Sequence, residues 1–286
     1  VFVASILRKI ALTIVMGVIA FVLLFPIVIT FTNSLMTAQE IGINYSPIGQ
    51  MNKAARFVNI KLLPDQVTLE QYDKVLVGSP RYLKMFWNSA FMVIPIIAGQ
   101  TLVASLAAYA FSKLRFRGRE PLFLVYVFTM LMPFQVTLVP NYMMADKLGL
   151  LNSPTAIILP GIFAAFGVFM LRQFMLEIPY AYMEAAKMDG ASHLRIFYTI
   201  IVPMIMPGLA ALILLLFVDY WNMVEQPIVF LDDPFKQPLS VYLSRINGEP
   251  GIAFAASVLY MAPMVLLFLY AESYFIEGIQ LSGLKG

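Results

Sequence analysis

The chemistry-bearing residues of this 286-residue chain gather in the stretch "FVDYWNMVEQP", which holds Asp219, Trp221, Asn222, Glu225 and Gln226. On one helix, at about 100° per residue, Asp219, Asn222, Glu225 and Gln226 fall within an arc of about 120°. Two carboxylates and two amides on one side would accept hydrogen bonds from hydroxyl groups of a polar solute. Trp221 would add a flat aromatic face. The same groups could equally make contacts between subunits or reach interfacial water. Asn88 and Gln135 are further polar candidates, each better placed to brace helices than to touch a solute. Other chemistries are excluded by count. The chain has no Cys, so it has no thiolate metal site, disulfide or cysteine nucleophile, and His193 is its single histidine. No GxxxxGK[ST] stretch occurs, and Gly118 lies in an arginine-rich turn that is topological and cradles no phosphate.

The elements that position these residues follow from the charges. Only 12% of residues are charged and 60% are apolar, whereas a soluble domain carries roughly a quarter charged residues. Asp, Glu, Lys and Arg are absent between Lys9 and Glu40, Lys84 and Lys113, Glu120 and Asp146, Lys147 and Arg172, Arg195 and Asp219, and Glu249 and Glu272. Each gap holds 22 or more residues, enough for a helix to cross roughly 30 Å of hydrocarbon. Buried helices of a soluble protein would need a polar shell that a chain of this length lacks. The first gap has no small-residue cleavage pattern after its apolar run, so it reads as a span and not as a cleaved signal peptide. Val1 is not an initiator Met, and the natural chain is expected to begin upstream.

The pattern predicts an all-α membrane protein with six transmembrane helices, at about 10–33, 86–111, 121–145, 154–176, 204–226 and 251–273. Lys113, Arg115, Arg117 and Arg119 crowd the loop 112–120 and place it in the cytoplasm by the positive-inside rule. Both termini are then cytoplasmic, in agreement with Arg8 and Lys9. Segment 177–203 shares that side, while 34–85 and 227–250 face outward. The six basic residues of 34–85 are diluted over the segment and offset by Glu40, Asp65, Glu70 and Asp73. Within it, "LLPDQVTLEQYDKVL" reads as a small surface helix opening near Asp65–Thr68. Tyr82, Trp87 and Trp221 lie near the outer boundaries, where amphipathic rings are favoured, and Glu272 lies near the inner end of the last span. Pro26, Pro95, Pro133, Pro140, Pro160, Pro207 and Pro263 are each expected to bend a helix. Ala104, Ser105, Ala107 and Ala108 allow close helix packing.

Between the fourth and fifth spans lies "EIPYAYMEAAKMDGASHLRIFYTIIVPMIMP". Pro179 can open a helix at its first turn, Gly190 can end it in a left-handed position, and a second helix follows from about Ser192 with a break near Pro203. The spacing predicts a short protruding helix with Tyr182, Met183 and Met188 exposed, either a docking knob or an ordinary surface helix.

One motif here resembles a family signature: Glu184-Ala185-Ala186, then Asp189-Gly190-Ala191, then Ile200 and Pro203. It is similar to the permease subunits of bacterial ABC importers, in the carbohydrate branch typified by maltose and glycerol 3-phosphate permeases. Val202 stands where that family more often has Leu. "FWNSAFMV", "SLAAYAFSKLRFRGRE", Trp221-Asn222 and "YFIEGIQLSGLKG" extend the resemblance along the chain. The resemblance implies a type I ABC importer permease fold in the bacterial inner membrane. It also implies a cytoplasmic coupling helix built from Tyr182, Met183, Glu184, Ala185, Ala186, Met188, Asp189 and Gly190. In that arrangement Ala185 and Ala186 permit close approach, Gly190 turns the chain, and Glu184 and Asp189 hold polar contacts. The implied partners are a second homologous permease, two copies of a cytoplasmic ABC ATPase carrying ATP and Mg, and an extracytoplasmic solute-binding protein delivering a sugar or oligosaccharide. No cofactor or metal is expected in this chain, and no catalytic residue. Asp219, Trp221 and Asn222 would then meet sugar hydroxyls and C–H faces. An ion-gradient secondary transporter would instead call for inverted repeats, which the sequence does not display, and a non-transporting scaffold is the other alternative.

Overall fold

The structure, a computed structural model, describes the backbone of residues 2–45, 59–245 and 250–283, with the side chains of these except 2–5, 7 and 273–283. Residues 46–58 of the long outer segment, Glu249, and all of the side chains in "YFIEGIQLSGLKG" therefore lie outside the described residues. The described residues are helical, with no strand among them. In chain order the helices are α1 (Phe2–Ser34), α2 (Ala38–Tyr45), α3 (Glu70–Leu76), α4 (Pro80–Lys113), α5 (Arg119–Leu131), α6 (Phe134–Lys147), α7 (Thr155–Ile162), α8 (Ala165–Leu176), α9 (Tyr180–Met188) and α10 (His193–Ile196). A π-helical turn, Phe197–Ile201, leads into α11 (Val202–Met204), followed by α12 (Met206–Trp221), α13 (Glu225–Phe230), α14 (Leu239–Ser244) and α15 (Pro250–Gly283).

Four stretches are long and apolar enough to cross a membrane: Arg8–Ser34, Pro80–Lys113, Thr155–Leu176 and Pro250–Glu272. Two bent pairs complete six if each is one span: α5 with α6, at 101°, and His193–Met204 with α12, at 76°. The expected third span, 121–145, is thus broken and not continuous. The cause is local. Met132 precedes Pro133, the proline ring disfavours the helical region for the residue before it, and Met132 sits at φ −70° and ψ 124°. Near Pro203, the missing proline N–H leaves the Thr199 carbonyl without its helical donor. The turn before it widens, with the Val202 N–H reaching the Phe197 carbonyl. The sharp bend follows at Ile205, just before Pro207. Pro26, Pro95 and Pro263 lie inside helices that run on without interruption.

The chain divides into two compact units. In the first, residues 1–83 and 243–262, Met36, Ile41 and Tyr45 pack with Phe254. Buried Glu40 accepts hydrogen bonds from the Asp65 backbone N–H at 2.9 Å and from Lys61 at 2.9 Å. Asp65 also pairs with Lys61, and the two carboxylates hold that ammonium above its ordinary pKa. The short helix expected from Asp65 begins later, at Glu70, whose N–H donates to the Thr68 hydroxyl at 3.2 Å. Helix α2 has no strong sequence signal and was not expected. Tyr82, expected at the membrane boundary, is buried, and its hydroxyl donates to the Ala256 carbonyl at 3.2 Å. The most apolar part of α1 has no buried residue, a surface suited to lipid or another subunit.

In the second unit, residues 84–242 and 263–286, one core joins Ala104, Ala108 and Tyr109 of α4 to Leu171 and Met175 of α8. The same core takes in Phe197 and Ile201 of the π turn and Leu209, Leu212 and Leu216 of α12. Small residues bring these helices together, as the sequence predicts: a Cβ on Gly167 would lie 2.9 Å from that of Ala104. A second core, with Met92, Ile96, Ile157 and Phe230, packs α4 against α7 and α13.

Candidate functional site

Helix α9 is a short, separate helix because both of its ends are chemically terminated. Pro179, at φ −60° and ψ 139°, is the residue just outside the helix, one place earlier than the first-turn position expected. At the other end the Ala191 N–H donates to the Ala186 carbonyl and the Gly190 N–H to the Lys187 carbonyl, both at 2.9 Å. This pair of bonds is a Schellman motif, which requires a left-handed residue, and Gly190 supplies it with φ +75°. Among the described residues, no heavy atom beyond Gly190 and its two chain neighbours lies within 4 Å of the Cβ position at Gly190, so the requirement for glycine is conformational and not steric. Ser192 restarts the chain as an N-cap, its hydroxyl accepting from the Arg195 N–H at 3.3 Å.

The two faces of α9 differ. Met183 is only 3% exposed and belongs to the main core, and Ala186 is half-buried against it. This corrects the expectation that Met183 is displayed: it fixes α9 to the core. Glu184, Ala185 and Met188 share an arc of about 100° on the outer side, all exposed, with Met188 at 88%. Tyr182 and Asp189 are also exposed.

Long-range bonds fasten α9 to the rest of its unit. Buried Lys113 donates from Nζ to the Ile178 carbonyl at 2.5 Å and lies 4.8 Å from the centre of the Tyr180 ring. The Tyr180 hydroxyl donates to the Ser112 carbonyl at 2.9 Å. Below them Arg172, also buried, reaches Glu120 at 3.1 Å and the Phe111 carbonyl at 3.3 Å, with its guanidinium 3.9 Å from the Phe123 ring. Beyond α9, the Tyr109 hydroxyl meets His193 Nδ1 at 3.2 Å. Sequence reasoning missed this set because the partners lie far apart in the chain. The available signal was that Lys113 and Arg172 are the charges closing two apolar gaps.

The polar stretch at the end of α12 is arranged otherwise than one helix would place it. Helix α12 ends at Trp221, Asn222 is its cap, and Glu225 opens α13. The arc of four residues is therefore not a helix face. The break nonetheless brings them together, because Asp219, Asn222, Glu225 and Gln226 all line one cavity of about 720 Å³. Its wall also includes Asn141 of α6 and the rings of Phe134 and Tyr220. Asn141 went unremarked in the sequence, although it is an amide in the same apolar gap as Gln135. Gln135 donates to Glu225 at 3.3 Å and so joins the edge of this site. Trp221 does not: it is 2% exposed, stacked on Phe217 at 5.1 Å and edge-on to Phe86 at 5.6 Å. It therefore presents no face to the cavity. Asn88 braces a loop, donating to the carbonyls of Phe235 at 2.8 Å and Gln237 at 3.1 Å. A cavity of this size, with carboxylates, amides and aromatic rings converging, suits a small polar ligand.

Known proteins match this chain in sequence and in fold. The family described as binding-protein-dependent transport system inner membrane component matches residues 76–276. Among curated relatives, the arabinooligosaccharides transport system permease protein AraQ of Halalkalibacterium halodurans is 32% identical over 279 residues, covering 96% of each chain. The lactose transport system permease protein LacG of Rhizobium radiobacter is 31% identical, covering 68% of this chain and 73% of its own. A solved structure described as a bacterial ABC transporter involved in import of the acidic polysaccharide alginate contains a chain of the same fold. It has a TM-score of 0.79 and 25% identity, covering 95% of this chain and 98% of that one.

Proposed function

Because this chain belongs to the family of binding-protein-dependent transport system inner membrane components, we propose that it is a membrane-spanning subunit of an ATP-driven importer of a sugar or oligosaccharide. The observation that carries the reading is α9, a rigid helix rooted by Met183 and ended by Gly190, with Glu184, Ala185 and Met188 displayed. Without a phosphate-binding loop in this chain, the energy of ATP must arrive by contact, and a capped helix on a packed core transmits a push without unfolding. Two copies of a cytoplasmic ATPase carry ATP and Mg, and one of them receives α9. A second, homologous permease completes the pathway, and an external solute-binding protein delivers the sugar to the outer segments 34–85 and 227–250. Both termini and α9 lie on the cytoplasmic side of a bacterial inner membrane.

The names of the relatives, which include arabinooligosaccharide and lactose permeases, support a carbohydrate cargo. The cavity supports it chemically, since Asp219, Glu225 and the amides of Asn141, Asn222 and Gln226 offer acceptors and donors to hydroxyls. ATP binding draws the ATPases together and shifts the pair of permeases toward an outward-open state, and hydrolysis returns it inward. ATP hydrolysis is the work of the partner and not of this chain. The test is reconstitution with the ATPase, the companion permease and the binding protein in vesicles. Oligosaccharide-loaded binding protein should raise ATP hydrolysis and accumulate sugar inside; hydrolysis and uptake indifferent to every oligosaccharide offered would refute the cargo assignment.

A further inference from the structure

Beside the start of α9 lies a second polar cavity, of about 550 Å³, whose lining includes Arg115, Phe116, Arg119, Glu120, Pro121 and Tyr180. Transport chemistry gives it no role. Its charge is unbalanced: Arg119 and Arg172 share Glu120, at 2.7 and 3.1 Å, which leaves Arg115 facing the cavity with the Tyr180 ring 6.0 Å away. Arg117 stands exposed in the same loop. Such a site takes an anion, and guanidinium groups favour phosphate oxygens. The cavity also continues into apolar surface. Pro121 lines it, and the residues at i+3, i+4 and i+7 on the same face of α5 are Leu124, Val125 and Phe128, which are 51%, 57% and 62% exposed. Phe116, on the cavity wall, is itself 41% exposed. A cationic, anion-binding pocket opening onto an apolar helix face is the chemistry of an anionic amphiphile and not of an acidic peptide or a free ion.

We infer that the cavity of Arg115, Arg119 and Tyr180, in the turn whose sequence reads as topological only and not as a phosphate cradle, holds the phosphodiester headgroup of an anionic phospholipid, whose acyl chains lie along Leu124, Val125 and Phe128. Tyr180 is both a wall of this site and the first residue of α9, so the bound headgroup braces the helix where it leaves the membrane. Basic pockets beside membrane helices hold lipid headgroups in this way, at about 1 kcal/mol, or about fivefold, per basic residue.

The test uses the detergent-purified complex of this chain with its partner subunits. Phosphatidylglycerol, phosphatidylcholine and inorganic phosphate are each added, and retained ligand is read by native mass spectrometry. Phosphatidylglycerol should be retained in preference to phosphatidylcholine, and Arg115→Gln should weaken its retention about fivefold. Lys147→Gln, which removes one charge elsewhere, should leave retention unchanged. Three results would overturn the assignment: equal loss with Lys147→Gln, displacement of the lipid by inorganic phosphate, or loss of the ATPase from Arg115→Gln with lipid retention intact. The last would transfer the site to a protein partner.

Discussion

Replacing Gly190 with valine tests whether α9 acts as a rigid knob. Gly190 sits at φ +75°, where an L side chain is strained by roughly 1–2 kcal/mol, and a β-branched residue is at the upper end or beyond it. Among the described residues, nothing beyond its two chain neighbours lies within 4 Å of the added Cβ, so no clash adds to this strain. About 2 kcal/mol corresponds to about 30-fold in an equilibrium constant. The carbonyls of Ala186 and Lys187 would lose their partners at Ala191 and Gly190, and the last turn of α9 would fray. Met183 remains in the core, so the protein should still reach the membrane in normal amount. Affinity of the purified permease for its ATPase, measured by surface-immobilised titration, should fall about 30-fold for Gly190→Val. It should fall less than about threefold for Gly190→Asn, because asparagine tolerates the left-handed region. Equal affinity for valine and glycine, or equal weakening by valine and asparagine, would refute the reasoning.

Other consequences are equally direct. Met183→Ala removes a side chain from the main core and should cost about 2–4 kcal/mol, lowering the melting temperature in detergent. Met188→Ala should leave melting unchanged and reduce ATPase capture, and equal melting of the two variants would place Met183 outside the core. Asp219→Ala combined with Asn222→Ala removes two hydrogen-bonding groups from the cavity, each worth about 1 kcal/mol, and should lower sugar uptake about 30-fold with assembly intact. Unchanged uptake would remove the cavity from the solute path. Gly167→Ala, whose Cβ would stand 2.9 Å from Ala104, should cost about 1–3 kcal/mol by overpacking. Ala104→Gly should restore the melting temperature, and failure of that rescue would contradict the packing described.

What was legible in the sequence follows the range of the physics involved. The apolar gaps gave the spans because lipid acts on every residue of a segment at once. Helix α9 and its end at Gly190 were legible because capping is local, decided within about five residues. The break at Met132–Pro133 was signalled by proline, but a bend of 101° depends on how α5 and α6 pack. Met183 was read as exposed because periodicity over nine residues does not say which face has a neighbour, and that neighbour comes from α4, α8 and the π turn. Trp221 reads as a ligand platform by type, yet Phe86, more than 130 residues away in the chain, helps to enclose it. Asp219 and Glu225 meet for a reason opposite to the one expected: the helix stops at Trp221, and the two sides of the break wall the same cavity. The latch of Lys113 on Ile178 and Tyr180 on Ser112 is invisible to any local window.

The chain has no cysteine, so Met188→Cys creates a single reporter at a side chain of α9 that is 88% exposed. In cells producing the whole complex, a short thiol-to-amine cross-linker should join the thiol at position 188 to a lysine of the ATPase subunit, in a yield that changes with nucleotide. A membrane-impermeant maleimide applied from outside should leave the position unlabelled. Labelling from outside, with no cross-link to the ATPase in any nucleotide state, would contradict the account.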